Sequence, residues 1–158
     1  MFQFAKKKNS LIKIGAPISG ELKELSSASD PVFKEKLMGD GFYIIPNSNK
    51  VYAPISGTVE AIFPTKHAFT LRDKNNISVL IHIGTDTVQL DGVPFKLEIS
   101  EGEHVNVGDL LATVNFEYIY SKGKGTEVYV VFPEIDAKRK LKINLYGAVS
   151  YKEIVATI

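Results

Sequence analysis

The amino-acid sequence predicts an all-β protein, built as an antiparallel β-sandwich or barrel with only short helical turns. Three observations support this. Short runs rich in Val, Ile, Phe and Tyr follow one another closely, clusters of Gly, Asn, Asp and Pro separate them, and a five-residue motif occurs twice. No segment offers three clean turns of helical periodicity, so the sequence does not favour a helical fold.

Seven segments are predicted to be strands, because each is short and rich in β-branched or aromatic residues. They span residues 42–45, 50–53, 58–63, 69–72, 77–83, 110–114 and 127–132. Residues that favour turns lie at 39–41, 47–49, 73–76, 91–92 and 123–125. The best helical candidate is a two-turn segment, 30–37, with Asp30 as its N-cap and Pro31 at the first helical position.

An internal repeat indicates that the fold contains two similar halves. The sequence Ala-Pro-Ile-Ser-Gly occurs at residues 16–20 and again 37 residues later, at 53–57. Proline cannot donate to a sheet ladder and glycine tolerates positive φ, so each copy is interpreted as a strand end that turns into the next strand. Residues 101–110 add two glycine turns around a Val-x-Val strand. This pattern is typical of barrel-sandwich hybrids with a duplicated hybrid motif, which is an analogy of fold alone.

Length and composition indicate a single domain, and the absence of cysteine is compatible with a reducing environment. The 158 residues are 44% hydrophobic, which suits a single domain over 11–158 behind a flexible tail at 1–10. The formal net charge of +1 is too small for a dedicated nucleic-acid binder. The absence of cysteine excludes disulfides, thiol catalysis and cysteine-ligated zinc. Any metal would have to be held by histidine and carboxylate groups.

The N-terminal region has no targeting signature. No apolar run reaches the roughly 18 residues of a membrane span, and residues 1–10 do not resemble a secretory signal. We therefore expect a free-standing cytoplasmic protein. Phe2 and Phe4 precede three lysines at positions 6–8, which allows at most a peripheral contact with an anionic membrane.

His82 lies in a segment whose alternation predicts two different faces. The aliphatic residues of this segment form the predicted core face: Ile77, Val79, Ile81 and Ile83. The other face is expected to be at least partly open, and it carries Ser78, Leu80, His82 and Gly84. Gly84 leaves space beside the imidazole, and the turn that follows could direct the carboxylate of Asp86 back toward the ring.

His67 is predicted to meet His82 across a hairpin. The turn at 73–76 separates the two segments, and counting outward from it places His67 opposite His82 within one residue of register. Directly opposed residues have Cβ atoms about 5 Å apart, so the two imidazoles should share one face. Thr65 would lie on the same face as His67 and could orient its ring through the hydroxyl.

Two reactions suit a pair of imidazoles beside a carboxylate. His67, His82 and Asp86 could ligate Zn²⁺ and leave a position for a hydrolytic water. Alternatively, one imidazole could accept a phosphoryl group as a nucleophile while the second donates a hydrogen bond to the phosphoryl oxygens. The residues alone leave both reactions open.

Several motifs resemble the glucose-class enzyme IIA domain of the bacterial phosphoenolpyruvate-dependent sugar phosphotransferase system. They lie at residues 16–20, 30–33, 39–41, 53–57, 65–69, 82–88 and 102–109, in family order. The combination of His-Ala-Phe at 67–69 with His-x-Gly-x-Asp-Thr at 82–87 is the most specific. The resemblance covers the chain from about residue 14 to 109 and is weaker afterwards, although Gly-Ala-Val at 147–149 is similar to the family's closing glycine turn.

The resemblance implies a phosphocarrier with defined partners. His82 would accept a phosphoryl group from the histidine-containing protein HPr and pass it to a cysteine of a sugar-specific IIB component, with His67 supporting the transfer. Asp30 and Asp86 match rim carboxylates that face basic partner residues. The apolar residues expected to form a docking ring are Val32, Phe33, Phe63, Leu80 and Val88.

Further implications concern specificity and metal. Lys66 stands where the family has Asn and Leu80 where Phe is familiar; Lys66 adds a charge beside the site. No cofactor is required, although His67 and His82 could hold zinc weakly if a partner supplied another ligand. Regulatory target proteins that dock in a phosphorylation-dependent way are also compatible with the family.

The same architecture is compatible with two other functions. A LytM-like zinc hydrolase needs a His-x-His pair on a strand, which this sequence lacks, and His104 is interpreted as an exposed polar residue. A non-catalytic regulatory binding module is the second alternative. The presence of both His67 and His82 argues against a loss of the chemistry.

Overall fold

The computed structural model describes residues 11–135 and 139–158, and most of its regular structure is antiparallel β-sheet. The expectation of a flexible tail at residues 1–10 lies outside the described residues. The described residues form three sheets. The largest has eight strands in the order β13-β2-β3-β11-β7-β6-β5-β9, and the two small sheets have the orders β1-β14-β12 and β4-β10-β8. The predicted all-β antiparallel fold is therefore confirmed.

In the described part of the chain the strands are short, and helices occur only as brief connections. The strands are β1 Lys13–Gly15, β2 Gly20–Glu24, β3 Asp40–Pro46, β4 Lys50–Tyr52, β5 Gly57–Ile62, β6 Ala68–Arg72, β7 Ser78–Thr85, β8 Phe95–Leu97, β9 His104–Val105, β10 Leu110–Val114, β11 Gly125–Phe132, β12 Lys142–Ile143, β13 Gly147–Val149 and β14 Ile154–Thr157. The α-helices are α1 Pro31–Lys34 and α2 Phe116–Ser121, and 3₁₀ turns cover Leu25–Ser27 and Thr87–Leu90. Within the described ranges, no helix is long and apolar enough to span a membrane.

All seven predicted strands are present, as β3, β4, β5, β6, β7, β10 and β11. The other strands have two to five residues and are too short, or carry too few apolar residues, to show a period. In β2, for example, Leu22 is the only aliphatic residue. The predicted helix is shorter than expected: Asp30 caps α1 through a 3.0 Å bond from the Val32 amide, but the helix ends at Lys34 and Lys36 has a positive φ of 57°.

Each copy of the repeat connects the end of one strand to the next, β1 to β2 and β4 to β5, as predicted, and the two copies contact each other's flanking strands. Gly15 N donates to Pro54 O at 2.8 Å, and Tyr52 N donates to Pro17 O at 2.7 Å, so each copy bonds the strand that leads into the other. The hydroxyls of Ser19 and Ser56 accept from backbone amides in equivalent loops. The large sheet has the same symmetry, because β2 and β5 occupy matching positions on either side of the central pair β11-β7.

Two apolar clusters cover opposite faces of the central strands. On β7, Val79, Ile81 and Ile83 join the main core, as the alternation predicts. The opposite face is open only in part, as expected: Leu80 and Ser78 are buried, whereas His82 is partly accessible. A second cluster covers it, made of Leu25, Ala28, Phe33, Tyr43, Ala68, Leu80, Tyr129 and Val131. The α1 segment therefore closes one part of this face and leaves the part around His82 accessible.

Candidate functional site

His82 lies at the partly accessible end of the second face, between two neighbouring strands. Its backbone is opposite Ala68 of β6 and Tyr129 of β11, and its side chain is half-buried. The position on the central strand pair gives the imidazole a rigid support, because β7 is hydrogen-bonded on both sides.

One hydrogen bond determines which imidazole nitrogen of His82 is free. Nδ1 lies 2.9 Å from the carbonyl oxygen of Gly84. A carbonyl oxygen only accepts, so Nδ1 carries the hydrogen in the neutral ring and Nε2 keeps its lone pair. The geometry thus selects Nε2 as the nucleophilic atom.

The backbone at Gly84 requires glycine. Its φ is +82°, and a Cβ there would lie 2.3 Å from Thr87 Cγ2 and 2.7 Å from Gly125 O. Both contacts are closer than packed atoms tolerate, and the left-handed conformation adds strain for any other residue. The carbonyl that orients His82 therefore depends on the absence of a side chain at position 84.

His67 comes from the turn between β5 and β6 and meets His82 edge to face. The ring centroids are 4.9 Å apart and the planes are inclined by 80°. Ala68 is the residue opposite His82, so the predicted register within one residue is confirmed. The turn itself is closed by a bond from Lys66 N to Phe63 O at 2.7 Å, with Lys66 at a φ of +62°.

Thr65 contacts His67 as the sequence suggested. Its Oγ1 lies 2.7 Å from Nδ1 of His67, whose side chain is buried. When the hydroxyl donates to Nδ1, the hydrogen of the neutral His67 ring is on Nε2. This arrangement makes His67 a hydrogen-bond donor, whereas the Gly84 carbonyl makes the Nε2 atom of His82 an acceptor.

The surroundings keep both imidazoles uncharged. Burial lowers the pKa of His82 to about 4, with a smaller contribution from the neighbouring His67, while the bond to the Gly84 carbonyl acts in the opposite direction. Burial also lowers the pKa of His67. With a pKa near 4, only about one His82 ring in a thousand is protonated at pH 7. The lone pair of Nε2 is therefore available at physiological pH.

Aromatic rings pack around the two histidines. Phe33 lies 5.0 Å from His82 between ring centroids, at an angle of 59°, and Phe63 lies 5.5 Å from His67 in an edge-on arrangement. Tyr129 is 6.3 Å from His82. These contacts exclude water from most of the ring surface, which explains the depressed pKa of His82.

A shallow depression of ≈ 200 Å³ opens beside His82. Its lining brings together both carboxylates that the sequence indicated: Asp30, Val32, Phe33, Met38, His82, Asp86, Thr87 and Val88. Asp86 follows β7 in a left-handed conformation with φ +62°. The shared lining supports the expectation that the two carboxylates lie at the rim of the site.

The predicted apolar ring is only partly exposed. Val32, Phe63 and Val88 are exposed by 41%, 38% and 49%. Phe33 and Leu80, however, are buried in the second cluster at 3% and 2%. The expected place in the ring is corrected for Leu80, whereas Phe33 still lines the depression with its small exposed part. Met38, which the sequence did not single out, lines the same depression.

The described residues do not fit a zinc hydrolase site. Within residues 11–135 and 139–158, no three His, Cys, Asp or Glu side chains are grouped as metal ligands. His104 lies on β9 at the edge of the large sheet, and two strands separate it from His82. The pair His67 and His82 thus lacks the third protein ligand that a catalytic zinc ion requires.

The chain is similar to proteins of one family along most of its length. Residues 12–137 match the family of the phosphoenolpyruvate-dependent sugar phosphotransferase system, EIIA 1. The glucose-specific EIIA component of Staphylococcus aureus (strain COL) is 44% identical over 135 residues, which cover 85% of this chain and 80% of that protein.

Two further relatives show how the domain occurs elsewhere. The glucose-specific EIICBA component of Streptococcus pneumoniae serotype 4 is 42% identical over 139 residues, covering 88% of this chain. The match spans only 19% of that longer protein. The solved structure of glucose permease IIA from Mycoplasma capricolum is 38% identical, with a TM-score of 0.89 and 99% coverage of both chains.

The family match and the structural similarity agree with the site geometry, in which a neutral imidazole has one free nitrogen beside a second imidazole. The chain belongs to the EIIA 1 family of the phosphoenolpyruvate-dependent sugar phosphotransferase system and is a phosphocarrier component of that system.

Proposed function

We propose that His82 carries the phosphoryl group on Nε2. The observation that supports this most directly is the 2.9 Å contact between Nδ1 and the Gly84 carbonyl, which leaves Nε2 as the nitrogen with a lone pair. The low pKa of His82 keeps that lone pair free at neutral pH. We further propose that the protein acts in the cytoplasm, between HPr and a sugar-specific IIB component.

Each transfer is a balanced exchange at phosphorus. The Nε2 lone pair of His82 attacks the phosphorus of phospho-HPr, and the N–P bond of HPr breaks as its imidazole recovers the electron pair. In the second step, a cysteine thiolate of IIB attacks the same phosphorus and the Nε2–P bond breaks. The Gly84 carbonyl stabilises the positive charge that develops on the His82 ring during the first step.

His67 has a supporting role in this proposal. With the Thr65 hydroxyl donating to Nδ1, the Nε2 hydrogen of His67 is available for a phosphoryl oxygen. The edge-to-face packing of the two rings brings this donor close to the acceptor imidazole. No metal ion is needed for either step.

The rim selects partners by charge and apolar contact. Asp30 and Asp86 place negative charge at the depression, which suits a basic partner such as HPr. Val32, Phe63 and Val88 provide exposed apolar surface around it. The glucose-specific relatives suggest glucose as the sugar of this chain, and regulatory proteins could use the same surface.

The direct test is incorporation of label from phosphoenolpyruvate, with enzyme I and HPr supplied. The wild-type protein should gain one acid-labile, base-stable phosphoryl group, and His82→Ala should gain none while keeping its circular dichroism spectrum. His104→Ala is the matched control and should be labelled normally, since His104 lies on an edge strand. Full labelling of His82→Ala would refute the assignment.

The role of His67 and the partner are tested in the same assay. His67→Gln keeps a donor without the ring, so it should still accept label while onward transfer to IIB slows. Addition of a glucose-specific IIB domain should discharge the labelled wild-type protein faster than IIB domains of other sugars. An unlabelled wild-type protein would instead favour a non-catalytic binding module.

A further inference from the structure

The second apolar cluster contains a buried tyrosine whose position the phosphoryl-transfer proposal does not use. Tyr129 is fully buried on β11 and lies directly opposite His82 in the sheet. Its ring stacks on Phe33, with centroids 3.8 Å apart and planes inclined by only 10°. Phe33 in turn contacts the imidazole of His82 at 5.0 Å. The three rings form a continuous series from the sheet to the site.

The α1 helix depends on such contacts for its position. It has only four residues, and helices this short are not stable through their own hydrogen bonds. Phe33 is its buried residue and is held by the stack on Tyr129. The stack on Tyr129 is therefore a main support for the placement of the Phe33 ring against His82.

Polar contacts hold Tyr129 in turn. Its hydroxyl lies 3.4 Å from Thr85 Oγ1, and Thr85 donates to Glu127 Oε1 at 3.2 Å. Glu127 also accepts from Ser29 at 3.5 Å, just before α1. Burial raises the pKa of Tyr129, so the ring remains a neutral phenol. The same network thus links β7, β11 and the segment leading into α1.

We infer that Tyr129 is a positioning residue for phosphoryl transfer, because its stack holds Phe33 against the imidazole of His82 and so fixes the direction of Nε2. This inference rests on the proposed role of His82 as acceptor. Without the stack, Phe33 would lose its support and the imidazole could rotate away from the Gly84 carbonyl. Misdirection of Nε2 would slow transfer from bound donor without weakening the docking of that donor.

Tyr43 provides a matched control. It is a second buried tyrosine in the same cluster, on β3 beside β11, and its ring lies 5.6 Å from Tyr129. Its hydroxyl contacts Ser27, at the start of the segment that leads to α1. Among the described residues, its ring contact is with Tyr129 and not with Phe33 or His82. Tyr43→Val therefore removes a comparable volume from the cluster while leaving the series of three rings in place.

The experiment compares Tyr129→Val, Tyr129→Phe and Tyr43→Val in the full-length protein. In single-turnover transfer from phospho-HPr, Tyr129→Val should be about tenfold slower at saturating donor, with a half-saturating concentration within about twofold of wild type. Tyr129→Phe keeps the stacked ring and should recover most of the rate. Tyr43→Val should lower the thermal midpoint about as much as Tyr129→Val but transfer at the wild-type rate.

The second readout needs no phosphoryl donor. Long-range ¹H–¹⁵N spectra at pH 7 should show a single Nδ1–H tautomer for His82 in the wild type and in Tyr43→Val, and a mixture of tautomers in Tyr129→Val. Wild-type rate and spectrum in Tyr129→Val, or equal losses in Tyr43→Val, would overturn the inference. If Tyr129→Val does not fold, Phe33→Leu removes the middle ring and must give the same losses.

The two readouts separate the inference from the proposed function. If His82 is not the acceptor, the transfer assay shows this by labelling His82→Ala, whereas the tautomer comparison still reports whether Tyr129 positions the imidazole.

Discussion

The Nδ1 atom of His82 lies 2.9 Å from the carbonyl oxygen of Gly84, two residues further along β7. Through this contact, a backbone carbonyl in a central strand selects the tautomer of His82 and thereby determines that Nε2 is the nucleophilic nitrogen. The carbonyl can occupy this position because Gly84 has a φ of +82° and no Cβ to meet Thr87. The requirement for glycine and the tautomer of His82 therefore have the same structural origin.

Replacement of Gly84 tests this relationship. Gly84→Ala should destabilise the protein by about 1–3 kcal/mol, since a left-handed φ is strained for alanine and the new Cβ would contact Thr87 and Gly125. Phosphoryl transfer should also slow, because the carbonyl must shift away from His82. Urea unfolding and single-turnover labelling measure the two effects. Gly123→Ala is the control, because Gly123 also has a positive φ but no neighbouring atoms that an added Cβ would meet. This variant should lower the stability without slowing phosphoryl transfer.

The depressed pKa of His82 predicts how stability depends on pH. The folded-state pKa is about 4 and the ordinary value is 6.5, so the unfolded state binds more protons between these values. The free energy of unfolding should be highest above pH 6.5 and should fall as the pH decreases towards 4; below pH 4 the titration of His82 lowers it no further. The whole decrease due to His82 is about 3 kcal/mol. His67 acts in the same direction, because its pKa is also lowered.

Urea unfolding at pH 7 and pH 4.5 checks this dependence. His82→Gln should lose less stability than the wild type over this interval, because the titrating group is gone. Parallel losses in the two proteins would show that His82 does not titrate with a depressed pKa. The protonation of His82 should also leave the rate of phosphoryl transfer to this residue unchanged from pH 8 to about pH 5, because the ring stays neutral over this range.

Thr65 should affect the second transfer step more than the first. Thr65→Val removes the hydroxyl that contacts Nδ1 of His67 at 2.7 Å, so the hydrogen of His67 is no longer held on Nε2. We expect onward transfer to IIB to slow by about tenfold, which is less than the roughly 10²–10³-fold loss seen when such a donor is removed altogether, because His67 itself remains. Thr65→Ser keeps the hydroxyl and should transfer normally. Rapid-quench discharge of the labelled protein measures both variants, and a normal rate for Thr65→Val would exclude the role.

The backbone conformation of Lys66 is expected to lower the stability of the protein. Its φ of +62° lies in the left-handed region, which asparagine tolerates better than lysine. Lys66→Asn should therefore raise the free energy of unfolding by about 0.5–1 kcal/mol. Lys74→Asn is the control, because Lys74 is also exposed in a turn but is not among the residues with positive φ. If the two variants have equal stability, the strain at position 66 is negligible.

The sequence was informative where local periodicity and turn chemistry decide the structure. The turn at residues 73–76 determined the register that brings His67 beside His82, and the Ala-Pro-Ile-Ser-Gly repeat indicated the two facing halves. Both depend on contacts between neighbouring strands or on repeated local structure. They could therefore be counted directly along the chain.

The coverage of the second face could not be predicted in this way. Alternation along β7 separates Leu80 from the main core but does not show that the α1 segment, some fifty residues earlier in the chain, packs over it with Phe33. The same limit applies to Tyr129. In the segment 127–132, Tyr129 alternates with Val128 and Val130, which face the main core. This alternation is the sequence feature that could have placed Tyr129 on the same face as Leu80 and His82.

The central claim is that Nε2 of His82 is the phosphorylated atom, and the position of the N–P bond tests it most directly. Protein labelled with ¹⁵N in its histidines, phosphorylated through enzyme I and HPr, should show ³¹P–¹⁵N coupling to Nε2 of His82, with Nδ1 still protonated against the Gly84 carbonyl. Coupling to Nδ1 of His82, or to either nitrogen of His67, would contradict the account.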